Sequence, residues 1–203
     1  STYPLADALA ASQPGDVILL EDGTHPGFMI GSNSNYSFNA GEVNDVDICG
    51  SGAAAIRPPV DWSSDTIAIV HDVPTRDIRF WNLRIEGATR AAVIFYQPGV
   101  DSSVTYEGFH FYDVVVDGGF DHETLAGLNS KWGVLTYHVS DFRWIGGAVN
   151  NIRREHAFYL HNNAGDVVIR GVSSRHLGRT FVQVTQRATE GMMGAGTVTI
   201  EAC

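Results

Sequence analysis

The amino-acid sequence predicts an all-β fold, a right-handed parallel β-helix of about six to seven coils with a short N-terminal capping helix. Two sets of strand-like segments carry this prediction. One set recurs about every 30 residues, and the other consists of five segments that align without gaps. The composition agrees, because 22 glycines accompany many β-branched and aromatic residues and only 18% of the residues are charged.

The first set contains seven segments in which apolar and polar residues alternate, as they do in strands. Their first residues are separated by 29, 32, 31, 33, 25 and 31 positions: Val17, Val46, Ile78, Phe109, Phe142, Val167 and Val198. A unit of this length cannot bury its apolar face alone, whereas stacked units bury a continuous core. Parallel stacking at about 4.8 Å per coil predicts a rod about 30 Å long.

The second set covers residues 65–71, 90–96, 131–137, 155–161 and 179–185. Stacking these segments predicts columns that alternate between the interior and the outer face. The predicted inward columns are Ala68/Val93/Val134/Phe158/Val182 and Val70/Phe95/Thr136/Leu160/Val184. The predicted outward columns are Asp65/Arg90/Lys131/Glu155/Arg179, Ile69/Ile94/Leu135/Tyr159/Gln183 and His71/Tyr96/Tyr137/His161/Thr185.

The two ends of the predicted stack differ. The spacing of Leu5 and Leu9 predicts a short helix that covers the first coil, whose strand edge is otherwise exposed. The last strand, from Val198 to Ile200, begins a new coil and nothing after it resembles a cap. We therefore expect residues 1–203 to form a single β-helix domain that continues beyond the C-terminus or self-associates through this uncapped edge.

Charge and composition exclude several function classes. The chain has 13 Lys and Arg against 23 Asp and Glu, a formal net charge of −10, and lacks a basic run, which argues against a nucleic-acid partner. No apolar run approaches the roughly 20 residues that a membrane span needs. Nucleophilic triads, phosphate-binding loops and paired-cysteine metal motifs are not evident in the sequence.

The N-terminal segment resembles a known superfamily. Residues 5–9, Leu-Ala-Asp-Ala-Leu, precede residues 13–25, Gln-Pro-Gly-Asp-Val-Ile-Leu-Leu-Glu-Asp-Gly-Thr-His. This stretch resembles the opening of pectate-lyase-like β-helices, and it is similar to the polysaccharide lyase family that contains chondroitinase B and alginate lyases. The resemblance covers about the first 25 residues, and the remainder matches only in its repeat pattern.

The resemblance implies an enzyme at an extracellular or cell-surface location that cleaves an acidic polysaccharide by β-elimination, with a Lys and an Arg near the sugar. Lys131 and either Arg153 or Arg154 have a plausible spacing for such a pair. It also implies calcium, bound by Asn and Glu residues around the lysine. That cluster has no convincing match here, where the nearest acid is Glu123. The calcium therefore rests on the resemblance alone.

The outward columns suggest a sugar-binding strip, because aromatic faces stack on sugar rings and Arg and Lys bind carboxylates. β-Elimination needs a cation to neutralise the uronate and a base to remove the adjacent proton. The candidate catalytic residues are Lys131, Arg154, Tyr137 and His161. The candidate substrate-binding residues are Arg90, Tyr96, Glu155, Tyr159, Arg179 and Gln183. The sequence predicts no metal ligands, and polysaccharide is the expected partner.

Other interpretations of the same residues stay open. Alternating charges along a column also stabilise any parallel sheet, and His156 is interpreted as a strand-edge residue. The insertions at 97–107 and 120–130, the second with Asp121, His122 and Glu123, suit exposed loops. Three functions remain: a polysaccharide lyase, a non-catalytic carbohydrate-binding protein of the tailspike or adhesin type, and a structural rod that self-assembles.

Overall fold

The computed structural model describes residues 2–31, 37–59, 62, 64–70, 75–96, 105–119, 130–186 and 196–203. These residues form one helix, α1 (Pro4–Ala11), and short parallel strands that are numbered along the chain and belong to three sheets. The sheets are the three faces of a right-handed parallel β-helix, so the predicted fold class is confirmed.

Each sheet collects one strand from every coil. Sheet A contains β1 (Val17–Leu19), β4 (Asn44–Cys49), β7 (Arg76–Trp81), β10 (Tyr106–Tyr112), β13 (Val139–Ser140), β14 (Phe142–Ile145), β17 (Val167–Arg170) and β20 (Val198–Glu201). Sheet B contains β2 (Gly23–Pro26), β5 (Ala54–Arg57), β8 (Arg84–Glu86), β11 (Val115–Asp117), β15 (Ala148–Ile152) and β18 (Ser173–Leu177). Sheet C contains β3 (Phe28–Ile30), β6 (Asp65–Ile69), β9 (Ala91–Phe95), β12 (Trp132–Tyr137), β16 (Phe158–His161) and β19 (Val182–Thr185).

The chain visits sheets A, B and C in turn, and this sequence of strands defines the coils. The strands give six complete coils, and β20 begins a seventh. The predicted number of coils is therefore correct. Parallel pairing between successive coils places each residue one strand spacing, about 4.8 Å, from its counterpart in the next coil.

The register of sheet A agrees with the predicted segments from the second coil onward. Val46 pairs with Ile78, and the same alignment continues to the pairing of Val167 with Val198. The first segment is shifted by one residue, because Val17 pairs with Asp47 and Ile18 pairs with Ile48. Val17 and Leu19 are exposed. All four residues from Val17 to Leu20 are apolar. This segment therefore shows no alternation of apolar and polar residues from which its register could be predicted.

In sheet C the predicted alignment is correct for the last four segments and wrong for the first. Ile67, and not Ala68, pairs with Val93, and Ile69 pairs with Phe95 in the inward column. Ile69 therefore faces the interior and not the outer surface, while Ala68 pairs with Ile94. The physical reason is volume, since this register places two isoleucines in the core where the other would have placed one alanine and one valine.

Aromatic rings stack along the axis inside the coil. The centres of the Phe80 and Phe111 rings are 4.6 Å apart, and those of Phe111 and Trp144 are 4.3 Å apart, with the planes within 10° of parallel. The three side chains are fully buried. This stack fills the space behind sheet A, so the outer faces of the sheets and not the interior are available for ligands.

The N-terminal cap is present as predicted. Helix α1 begins with a proline at its first turn, buries Leu5, Ala6 and Leu9, and packs against β2 and β3. At the other end of the stack, Val184 and Ile200 are exposed. Self-association through this end stays a prediction. In the described part of the chain, no helix is long and apolar enough to cross a membrane.

Candidate functional site

Four charged residues form one column just before the strands of sheet C, as the sequence predicts. The Lys131 N–H donates to the Arg90 carbonyl at 2.9 Å, the Glu155 N–H to the Lys131 carbonyl at 3.0 Å, and the Arg179 N–H to the Glu155 carbonyl at 2.9 Å. Asp65 was expected to precede Arg90 in this column. Ser64 takes that place instead and accepts from the Arg90 N–H at 2.8 Å, because β6 is shifted by one residue.

An open groove of about 410 Å³ lies on the outer face of sheet C, over the fourth to sixth coils. Its lining is Trp132, Tyr137, Glu155, His156, Tyr159, Arg179, Gln183 and Thr185. Five of these residues were predicted as site residues: Tyr137, Glu155, Tyr159, Arg179 and Gln183. The structure thus brings half of the predicted site together in one concave surface.

Aromatic rings line the middle of this groove. The ring centres of Trp132 and Tyr159 are 6.4 Å apart. The imidazole of His156 stacks on Tyr159, with centres 5.7 Å apart and planes within 16° of parallel. Lys131 borders the groove, and its Nζ lies 4.2 Å from the centre of the Trp132 ring. A cation therefore lies directly beside an aromatic surface that a sugar ring could contact.

Charge is arranged around the carboxylate of Glu155. Its Oε2 lies 3.1 Å from Nη1 of Arg179 and 3.6 Å from Nε2 of His156. Arg179 lies in the groove and Lys131 borders it, so two cations accompany the carboxylate of Glu155 here. The surface here is locally basic although the chain carries a net charge of −10. Arg154 is exposed and lies outside the groove lining.

His156 is the groove residue that the sequence analysis placed at a strand edge. Its side chain is buried, and Nδ1 lies 2.7 Å from the Thr180 hydroxyl. Burial lowers the pKa of His156 from 6.5; the charge of Arg179 acts in the same direction, and Glu155 opposes it. The sequence signal that could have identified His156 as a groove residue is its position in the aligned column, between Trp132 and Thr180 and next to Glu155.

Arg90 and Tyr96, both predicted to bind substrate, lie outside this groove in a separate cluster with Asp65. Arg90 Nε donates to Asp65 Oδ1 at 2.9 Å, and Arg90 Nη2 contacts both Asp65 Oδ2 and Tyr96 Oη. Asp65 is only 1% exposed. Burial and the neighbouring Asp65 carboxylate raise the pKa of Tyr96 to about 12. This cluster links two successive coils through side chains, because Asp65 is on β6 and Arg90 directly precedes β9.

His161, a predicted catalytic residue, lies beneath the groove surface. It is 2% exposed, and its ring centre is 4.7 Å from that of Tyr137 and 6.0 Å from that of Tyr159. Tyr137 itself lines the groove. Tyr137 and His161 are neighbours on successive coils, as predicted, because the two residues pair in register.

The described residues do not fit the calcium that the resemblance implies. Within these ranges, no group of three or more His, Cys, Asp or Glu side chains could hold a metal ion. Asp121, His122 and Glu123 lie outside the described residues.

Comparison with known proteins gives no relative for this chain. No family model, no curated protein and no solved structure matches it.

Proposed function

We propose that this protein binds an acidic polysaccharide in the groove over sheet C and cleaves it by β-elimination. The observation that carries the proposal is that Trp132, Tyr159 and Arg179 line one open groove and that Lys131 borders it. The N-terminal resemblance to pectate-lyase-like β-helices supports the same substrate class. A substrate of this kind is consistent with an extracellular or cell-surface location.

The geometry of the stack suits an extended glycan. Successive coils are about 4.8 Å apart, which is close to the length of one sugar unit in a chain. A glycan along the axis would therefore meet Lys131, Glu155 and Arg179 at successive sugars. The aromatic rings of Trp132 and Tyr159 would contact the apolar faces of the sugars, while the cations would contact carboxylates.

The proposed reaction needs a cation, a base and a leaving group. Lys131 neutralises the uronate carboxylate, which makes the proton on the adjacent carbon easier to remove. Tyr137, which lines the groove, acts as the base, with His161 behind its ring. Removal of the proton forms a carbon–carbon double bond, and the bond to the glycosidic oxygen breaks. The phenolate of Tyr137 takes up the abstracted proton and then gives it to that oxygen, which leaves as the new end of the chain.

The test is the ultraviolet absorbance of the unsaturated sugar that elimination produces. We expect absorbance to rise with at least one of alginate, pectate or a glycosaminoglycan, each measured with and without calcium. Replacement of the cation in Lys131→Ala should lower the rate by about 100-fold or more. Arg175→Ala is the matched control, because Arg175 is exposed on sheet B, and it should keep the wild-type rate. A flat trace with every polymer would contradict the lyase proposal.

A second candidate, non-catalytic carbohydrate binding, is favoured by the surroundings of three predicted site residues. The guanidinium of Arg179 is engaged by Glu155, that of Arg90 is engaged by Asp65, and His161 is buried. In a binding protein the aromatic surface would supply most of the affinity. Glycan binding that Trp132→Ala abolishes, together with a flat absorbance trace, would select this candidate.

A further inference from the structure

The carboxylate of Glu155 has two competing partners that differ in exposure. The same oxygen, Oε2, lies 3.1 Å from Arg179 Nη1 and 3.6 Å from His156 Nε2. The Arg179 side chain is 62% exposed, whereas the His156 side chain is 6% exposed. Arg179 can therefore turn toward a ligand in the groove, but His156 is fixed in its floor.

The neutral ring of His156 can accept at Nδ1 from the Thr180 N–H, 3.4 Å away, while its Nε2–H faces Glu155. A neutral imidazole has one N–H, so it can donate to the Thr180 hydroxyl from Nδ1 or to Glu155 from Nε2, but not to both. The Thr180 hydroxyl lies 3.2 Å from the Val182 carbonyl, to which it donates, so its oxygen is available to accept from Nδ1. The imidazolium places a positive charge 3.6 Å from Oε2 of Glu155, within ion-pair distance, where it competes with Arg179 for this carboxylate.

The pKa of His156 is lowered by burial and by Arg179 and is raised by Glu155 and by a hydrogen bond with the Thr180 backbone. The groups around the ring are Glu155 on its own segment, Trp132 from the preceding coil with Lys131 over the Trp132 ring, Tyr159 on β16, and Arg179 and Thr180 from the following coil. Burial lowers the pKa of His156 below 6.5, so the ring is neutral at pH 7. The ring therefore gains its charge only below pH 6.5.

We propose that protonation of His156 strengthens the binding of anionic glycans in this groove, because the imidazolium pairs with Glu155 and releases Arg179 toward the carboxylates of the ligand. The ligand in this inference rests on the proposed function, whereas the exchange of partners at Glu155 is a property of the free protein. By linkage, a bound anionic glycan raises the pKa of His156 to the same extent that protonation raises the affinity.

The experiment measures the affinity for a galacturonate hexamer, whose carboxylates stay ionised, by calorimetry between about pH 7.5 and pH 5. For the wild type we expect affinity to rise about tenfold as the pH falls. His156→Gln should abolish this rise, and Glu155→Gln should bind tightly already at neutral pH. His25→Gln is the matched control, because His25 is on the first coil, and it should behave as the wild type. An undiminished pH dependence in His156→Gln would overturn the proposal.

A second readout keeps this inference separate from the proposed function. In the free protein, the Arg179 side-chain N–H signal in NMR should move with the same midpoint as the ring signals of His156. If no hexamer binds at any pH, the proposed function fails, and this titration still decides the inference. A stationary Arg179 signal across the titration of His156 would overturn it.

Protonation of His156 also changes the stability of the folded protein, which limits the pH range in which binding can be measured. The pKa of His156 is lower in the folded than in the unfolded chain, so the unfolded chain takes up the proton first. The contribution of neutral His156 to stability is complete above pH 6.5 and declines as the pH falls below it. Circular dichroism at each pH confirms that binding is measured on folded protein.

Discussion

Gly147→Ala is expected to destabilise the protein by about 3 kcal/mol, the largest effect that we predict for a single methyl group. Gly147 lies at the turn between sheets A and B with φ +73°, a conformation that costs a side chain about 1 kcal/mol or more. An added Cβ would also lie 2.1 Å from the Val114 carbonyl oxygen of the preceding coil. Because that oxygen is backbone, two coils would have to move apart.

Gly171→Ala is the matched control for this prediction. Gly171 has nearly the same backbone conformation, φ +65°, but the nearest atom to an added Cβ is 3.9 Å away. Gly171→Ala should therefore lower the free energy of unfolding by about 1 kcal/mol, the cost of the backbone conformation alone. Urea unfolding of both variants separates the energetic cost of the close approach between coils from the cost of the backbone conformation. Equal losses would show that the coils at Gly147 are not packed as described.

Arg90→Met is expected to destabilise the protein by about 3 kcal/mol, because it leaves the Asp65 carboxylate buried without its cation. The Asp65 side chain is 0% exposed and contacts Arg90 through two nitrogens. Arg143→Met is the control, since Arg143 pairs with Asp141 at an exposed surface and its loss should cost less than about 1 kcal/mol.

A double variant tests the cause of that loss. Asp65→Leu combined with Arg90→Met removes both charges, so the pair should recover most of the stability that Arg90→Met loses. Urea titrations give the free energies of unfolding of the wild type, the two single variants and the double variant, which together form the double-mutant cycle. A double variant no more stable than Arg90→Met would show that Arg90 acts through packing and not through the charge of Asp65.

Much of the fold could be predicted from the sequence because each coil repeats the same alternation. The column from Arg90 to Arg179 is correct because strong inward residues, such as Val93 and Phe158, fix the register on both sides. The segments at Val17 and Asp65 were shifted by one residue. In both, apolar residues occupy adjacent positions, so only the packing of neighbouring coils decides which ones face inward.

The candidate site was predictable in outline but not in its charges. Alternation placed Tyr159, Arg179 and Gln183 on one outer face, which the groove confirms as a shared surface. The contacts of His156 with Thr180 and Tyr159, and the ion pair of Arg90 with Asp65, depend on how side chains from different coils fill space. Such contacts leave no periodic signal in the sequence, so neither could be predicted from alternation alone.

The indole N–H signals of the four tryptophans test the central claim, that the groove over sheet C binds an acidic glycan. Trp132 lines the groove, Trp81 is on sheet A, Trp144 is in the core, and Trp62 contacts Asp65. In NMR spectra recorded with an acidic oligosaccharide, we predict that the Trp132 signal moves and that those of Trp81 and Trp144 stay in place. A stationary Trp132 signal at saturating glycan, or movement of Trp81 in its place, would contradict the account.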